Sequence, residues 1–329
     1  MIGRSHAART VAMLASLAVL SSCGGGGGGG GNPAPNPGPV PTTNPPLIAL
    51  NATNAQNVAG AATLTGLGAS SLGLQFQKAL VIQPLLPRTH VLTRFVQQEI
   101  ERLTRGLQTM PAAPVAAQVM SSACTVSGTV TFDQQPDSAT ETFSACSEVA
   151  GSSVDGTITI SSMNLNPGVS FSGSAGLNLT FKQTGFDDVV ITGSGMSVLE
   201  TVNVSVNTVT LSGSQLSVTS GTVSERLGNF TFQATIDQTT ETDMITLNYS
   251  NNQIGGSINV ATVTPCVTNL SANFPNTGVL SLAGAGGSKI RVTVNGDETF
   301  TTSSQVTIDL DANGDGTFET TLNKNWADL

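Results

Sequence analysis

The sequence predicts a mainly β protein: an antiparallel meander sheet, folded as a sandwich or an open barrel, with a short N-terminal helical segment and a small C-terminal β subdomain. Three observations predict this class. Charged residues make up only 10% of the 329 residues and 36 are glycine, which is untypical of a helical bundle and of an acidic disordered chain. Beyond residue 121, apolar residues alternate with Ser and Thr. Turn residues separate these alternating runs at short intervals.

Residues 1–22 have the pattern of an export signal. Arg4 and Arg9 precede the apolar run VAMLASLAVL at 11–20, which is too short for a permanent membrane span. The following Leu20-Ser21-Ser22-Cys23 resembles a bacterial lipobox. That resemblance implies that Cys23 is acylated and becomes the new N-terminus, and therefore that the protein is attached to a membrane by lipid. The alternative is a secretory signal followed by an incidental cysteine.

Residues 23–46 predict a tether behind this cysteine. Eight glycines at 24–31 are followed by the proline-rich run 32–46, so a flexible piece is joined to a stiff one. In the lipoproteins that the lipobox resembles, an Asp after the cysteine retains the protein at the inner membrane. Gly24 and Gly25 occupy those places here, which implies the outer membrane of a bacterial cell envelope.

The charge is acidic overall and unevenly distributed. The net charge of −9 argues against a surface that follows nucleic-acid phosphates. Residues 1–120 hold seven basic and two acidic residues, whereas the rest of the chain holds five basic and nineteen acidic ones. A basic segment of this kind meets a membrane, docks on the acidic body, or is the solvated face of a helix. The sequence does not decide between these three interpretations.

Residues 47–120 form the predicted helical segment. The apolar residues Leu92, Phe95, Val96, Ile100, Leu103 and Leu107 recur at three- and four-residue spacing. This spacing predicts an amphipathic helix over 89–107, with Thr89 as its N-cap. A shorter helix is predicted from near Asn51 to Ala62.

Residues 121–265 are predicted to form the antiparallel β domain. Runs such as 154–160, 177–182, 230–236 and 245–249 alternate between apolar and polar residues, the pattern of strands with one buried face. Residues 266–329 form a second run of short strands, the C-terminal β subdomain. The pattern does not decide whether this run is a separate unit or a continuation of the sheet.

The remaining cysteines predict one disulfide. In an oxidising compartment, Cys124 and Cys146 flank a turn centred near residue 135, so that a hairpin would bring them opposite each other. Phe143 has the wrong parity for the buried face of this hairpin, which predicts a bulge or a one-residue offset. Cys266 is left as an unpaired thiol.

No residue pattern indicates catalysis, and we expect the protein not to be an enzyme. His90 is the one histidine outside the predicted signal peptide, and the sequence contains no nucleophile elbow, Walker loop or dinucleotide fingerprint. Gly284-Ala285-Gly286-Gly287-Ser288-Lys289 lies between two predicted strands and is predicted to be a hairpin turn.

One constellation has the chemistry of a cation site. Asp309, Asp311, Asn313 and Asp315 present oxygen atoms at alternating positions, and the sixth position is glycine, so the segment resembles the first half of an EF-hand calcium loop. The twelfth position is Thr320, with Glu319 one place early, so we expect millimolar affinity for Ca²⁺ if the ion binds. The alternative is a plain strand-to-strand turn built from Asn-Gly and Asp-Gly.

The mature chain also resembles a set of proteobacterial lipoproteins to which no activity is assigned. The resemblance rests on the strand Gly128–Phe132 within the Cys124 to Cys146 hairpin, on the run Asp155–Ile160, and on the C-terminal DLDANGDGTFE and WADL segments. It implies a β fold and an envelope location. We therefore expect a lipid-anchored protein that binds or scaffolds an envelope partner; the alternative is a periplasmic carrier of lipid or another hydrophobic ligand.

Overall fold

The computed structural model describes residues 44–67, 118–124, 126–147, 150–166, 169–203, 206–237, 239–269, 275–295 and 305–325. The predicted signal peptide, Cys23, most of the tether, the predicted helix 89–107 and His90 lie outside these residues.

The body is one sheet of fourteen antiparallel strands in chain order, which confirms the predicted fold class. Each strand pairs with the next one along the chain, and the sheet does not close on itself. The strands are β1 Gln118–Ala123, β2 Ser127–Gln135, β3 Ser138–Ser147, β4 Ser152–Asn166, β5 Ser170–Gln183, β6 Val189–Asn203, β7 Val206–Ser220, β8 Val223–Ile236, β9 Thr240–Asn251, β10 Gly256–Asn269, β11 Thr277–Ala283, β12 Lys289–Asn295, β13 Gln305–Asp311 and β14 Thr320–Asn325.

The alternation predicted from the sequence gives the sheet one buried face, which we call the inner face. A row of paired residues that crosses seven strands defines it: Ile158, Leu177, Gly193, Leu216, Leu227, Tyr249 and Ile258. The apolar members of this row are buried, and Ser and Thr dominate between them on the opposite, outer face. Removal of these β-branched, leucine and aromatic side chains from water is what stabilises the sheet.

Three neighbouring strands share one irregularity. In β6, β7 and β8 the buried positions change parity near Gly195, Gly213 and Asn229, where the pairing to the flanking strands β5 and β9 shifts register. Gly195 and Asn229 both have positive φ, of 61° and 45°. Each strand thereby inserts an extra residue and keeps apolar side chains on the inner face on both sides of the bend.

The C-terminal strands continue the same sheet. Strand β10 pairs directly with β11, and β11 to β14 follow in order, so the run beyond residue 266 extends the sheet. Helix α1, Ala55–Leu67, packs mainly against β9 and β11 to β13. Val58, Ala59 and Ala62 of this helix are fully or almost fully buried in the same core as those strands. The predicted short helix is thus confirmed, and it covers one end of the inner face.

The chain enters this helix over the rim of the sheet. The amide of Ile48 donates to the carbonyl of Ser257, and the amide of Ser257 donates to the carbonyl of Pro46, each at 3.0 Å. The side chain of Asn51 then accepts from the amides of Thr53 and Asn54, which satisfies donors just ahead of the helix. Within the described part of the chain, no helix has the length and apolar character needed to cross a membrane.

The predicted disulfide is present, with a geometry different from a simple cross-strand pair. Cys124 and Cys146 are bonded, with their Cα atoms 5.5 Å apart. Cys124 follows β1 and precedes β2, so the bond joins the β1 to β2 connection to β3. The predicted bulge is also confirmed: the register shifts between Phe143 and Cys146, and Ala145 has a φ of 44°. The bulge lets Phe143 and Cys146 both face the core.

Candidate functional site

The candidate cation site is the turn that joins β13 to β14. Strand β13 ends at Asp311 and β14 begins at Thr320. Leu310 pairs with Thr320, and the Glu319 amide donates to the Leu310 carbonyl at 2.9 Å. The strands therefore hold both ends of the turn close together, and residues 312–318 must loop back between them.

Three carboxylates converge in this turn. One oxygen from each of Asp311, Asp315 and Glu319 lies within 4.8 Å of the others. Asp311 is buried at the end of its strand, while Asp315 and Glu319 are exposed. Three negative charges at this separation repel one another, and a bound cation would remove the repulsion.

Backbone amides hold the buried carboxylate in place. The amides of Gly314 and Gly316 donate to the two oxygens of Asp311, at 2.7 and 2.9 Å. Gly314 has a φ of 77° and passes so close to Gly287 of the neighbouring turn that a Cβ atom would touch its backbone. Glycine is thus required here by both conformation and space.

The exposed carboxylates are also oriented by hydrogen bonds. Glu319 accepts from the Ala312 amide at 2.9 Å, across the width of the turn. Asp315 accepts from the Thr317 amide at 2.7 Å and from the side-chain amide of Asn313 at 3.1 Å. The Thr317 amide, then its hydroxyl, and then Asn313 lower the pKa of Asp315 below its usual value, so this group is ionised at neutral pH.

Asp309 lies outside the carboxylate cluster. Its Oδ2 accepts from Nη2 and Nε of Arg291 at 2.8 and 3.1 Å, and its Oδ1 accepts from the Thr321 hydroxyl at 2.7 Å. The Arg291 guanidinium also stacks 4.3 Å from the ring centre of Phe318. These contacts on the outer face engage both oxygens of Asp309, so the carboxylates that the structure brings together are Asp311, Asp315 and Glu319.

The observed cluster fits a calcium-loop pattern that begins two residues later than the sequence suggests. With Asp311 in the first position, Asn313 and Asp315 take the third and fifth, Gly316 takes the sixth, and Glu319 takes the ninth. Each acidic or amide residue then falls at a ligand position of an EF-hand loop. Hard oxygen donors around a sharp turn suit Ca²⁺, although β strands flank this loop on both sides.

A second group of polar residues lies on the inner face and was missed by the sequence analysis. Glu225 accepts from the Tyr249 hydroxyl at 3.1 Å and from the Asn251 side-chain amide at 2.9 Å, and all three residues are buried. Glu200 accepts from Asn207 at 2.8 Å. Strand alternation is the signal that would have found them, because Glu225 has the same parity as buried Leu227.

The predicted hairpin turn at Gly284–Lys289 is confirmed as the connection between β11 and β12. Ala283 pairs with Lys289, and a single 3₁₀ turn at Ala285–Gly287 joins them.

Comparison with family models, with curated proteins and with solved structures returned no match for this chain. The resemblance to proteobacterial lipoproteins therefore remains a prediction from the sequence.

Proposed function

We propose that the protein is a lipid-anchored component of the bacterial cell envelope that binds or scaffolds an envelope partner and carries a Ca²⁺ ion in its C-terminal turn. The observation that carries this proposal is the convergence of Asp311, Asp315 and Glu319 within 4.8 Å. Extracellular calcium modules work at millimolar affinity, which suits an exposed turn with three carboxylates. The Cys124–Cys146 disulfide supports an oxidising compartment outside the cytoplasm.

Binding of Ca²⁺ to the folded state raises its stability by mass action. With a dissociation constant of about 1 mM, about 10 mM Ca²⁺ would add about 1.4 kcal/mol and raise the melting temperature by about 3 °C. We expect wild-type protein to show this rise relative to protein in chelator. Asp311→Asn and Glu319→Gln should each abolish it, since each removes one of the converging carboxylates.

Asp309→Asn is the matched control, because it also removes one charge from the same hairpin. It breaks the contact with Arg291 and should lower the melting temperature in both solutions while it keeps the rise with Ca²⁺. A rise that is lost in Asp309→Asn and kept in Asp311→Asn would assign the ion to other ligands. If the wild-type protein melts at the same temperature in chelator and in Ca²⁺, the proposed ion site is contradicted and the segment is a strand-to-strand turn without an ion.

The competing function is a carrier of lipid or another hydrophobic ligand. It is favoured by the inner face, where long strands present a broad row of apolar side chains. Mass spectrometry of an organic extract separates the two proposals, since a carrier purifies with stoichiometric lipid and a scaffold does not.

A further inference from the structure

Residues 44–50, which we call the strap, lead from the predicted tether into helix α1 and are fixed to the ends of two hairpins. Besides the two backbone hydrogen bonds that join the strap to Ser257, the hydroxyl of Ser257 donates to the Pro45 carbonyl at 2.6 Å. Further along the strap, the Ile48 carbonyl accepts from the amide of Ala285 at 2.7 Å. The strap is therefore held both by the start of β10 and by the turn between β11 and β12.

The turn between β11 and β12, which we call the β11–β12 turn, is closed on itself and packs tightly against the strap. The Gly284 amide donates to the Ser288 carbonyl at 2.9 Å, and the Ser288 hydroxyl donates to the Ala285 carbonyl at 2.8 Å. The same hydroxyl accepts from the Leu50 amide at 2.9 Å, and Ser288 and Leu50 are both buried. A Cβ atom on Gly284 would collide with the Ile48 carbonyl and would lie 2.8 Å from Cγ of Leu50. A movement of this turn therefore displaces the strap.

The β11–β12 turn also contacts the turn between β13 and β14, which we call the cation turn. A Cβ atom on Gly314 would lie 2.9 Å from the carbonyl oxygen of Gly286 and 3.0 Å from Cα of Gly287, so the two backbones are in close contact. The Gly314 amide is also a donor to Asp311, whose carboxylate belongs to the proposed ion site. The β11–β12 turn thus touches both the strap and the loop that would hold the ion.

We propose that the β11–β12 turn couples the cation turn to the strap, so that Ca²⁺ in the cation turn tightens the hold of the body on its tether. The part played by the ion rests on the proposed ion site. Backbones packed too closely to admit a methyl group move together, because close-packed structure transmits the displacement of one segment to the next. The coupling is reciprocal: the ion makes the strap open less often, and a docked strap raises the affinity for the ion by the same factor.

Hydrogen exchange of the strap in the full-length protein tests the coupling without calcium. Gly314→Ala disturbs the cation turn and collides with the β11–β12 turn, so we expect the amides of Ile48 and Leu50 to exchange at least about tenfold faster than in the wild type. Gly316→Ala is the matched control. Gly316 has a φ of 90° and its amide also donates to Asp311, but no described atom lies within 4 Å of its Cβ position. This variant should leave the strap amides at the wild-type rate.

Equal rates of strap exchange in the two variants would overturn the proposal. The amides of β6 report general unfolding of Gly314→Ala, and if they also exchange faster, exchange of the wild-type protein in low concentrations of urea decides. The proposal then expects the amides of Leu50 and Gly314 to open together, with the same dependence on urea and before those of β6. Separate openings of the strap and the cation turn would contradict it.

Calcium separates this proposal from the ion site on which it rests. Where the melting temperature rises with Ca²⁺, we expect about 10 mM Ca²⁺ to slow exchange of the Ile48 and Leu50 amides about tenfold, given a dissociation constant of about 1 mM. Gly284→Ala, which pushes the strap off the β11–β12 turn, should lose this slowing. A rise in melting temperature with unchanged strap exchange would overturn the coupling and keep the ion site. No rise would contradict the ion site, and the comparison of Gly314→Ala with Gly316→Ala then decides whether the cation turn and the strap are coupled.

Discussion

At the scale of single residues, burial decides which polar groups keep their solution chemistry. Cys266 pairs with Asp243 across β9 and β10 and is fully buried. Burial, and secondly the charge of Asp243, raise the pKa of this thiol to about 12. Asp237 is the opposite case, since the amides of Thr239 and Thr240 lower the pKa of its exposed carboxyl to about 2. One group is thus held neutral and the other ionised across the physiological range of pH.

We expect Cys266 to be inert toward thiol reagents at pH 8 in the folded protein, because the neutral, buried thiol is a poor nucleophile. Unfolding in urea without reductant should release one reactive thiol from this position. Ser214→Cys, which places a thiol at an exposed site on β7, is the positive control. Native Cys266 that reacts as fast as the Ser214→Cys thiol would contradict the assignment.

The same thiol makes a prediction about alkaline pH. Because the folded pKa of Cys266 is raised above its unfolded value of about 9, the unfolded chain loses its proton first. The contribution of Cys266 to the free energy of unfolding should therefore be constant below pH 9 and decline between pH 9 and about 12. A Cys266→Ala variant should lack this decline when urea midpoints are compared across that range.

At the scale of elements, the strands depend on irregularities that let large side chains share one face. Phe143 pairs with Gly156 on the neighbouring strand, and Gly156 has a φ of 119°. A Cβ atom on Gly156 would collide with the backbone carbonyl of Asn178 on β5. The glycine thus provides both a rare backbone conformation and the room for close approach of three strands.

Gly156→Ala should lower the free energy of unfolding by about 4 kcal/mol, because it adds backbone strain to a steric collision. Gly185→Ala is the matched control: Gly185 also has positive φ, of 84°, but nothing lies within 4 Å of its Cβ position. That change should cost about 1 kcal/mol. The measurement is the urea midpoint at constant slope, and equal losses for the two variants would refute the packing argument.

At the scale of the whole molecule, alternation in the sequence was sufficient to predict an antiparallel meander, because each strand has one buried face and short connections. The alternation did not show that the C-terminal strands continue the sheet, since pairing between β10 and β11 is a long-range property.

For the candidate site, the types of residue were predictable, but the position at which the calcium-loop pattern begins was not. Arg291 lies eighteen residues before Asp309, so no local pattern shows that this carboxylate is engaged. The buried acids Glu241 and Asp243 were readable in principle, because they share the parity of Ile245.

The proposed role in the cell envelope depends on a lipid anchor at Cys23, and fractionation of cells tests that anchor. Full-length protein that retains Cys23 should sediment with membranes and show the added mass of acyl chains, because the proposed lipobox at residues 20–23 would make this cysteine the mature N-terminus. Cys23→Ala should lack that mass and leave the membrane fraction, whereas Cys266→Ala should keep both. Unchanged membrane partition of Cys23→Ala, together with no acyl mass on the wild type, would contradict the proposed lipid anchor.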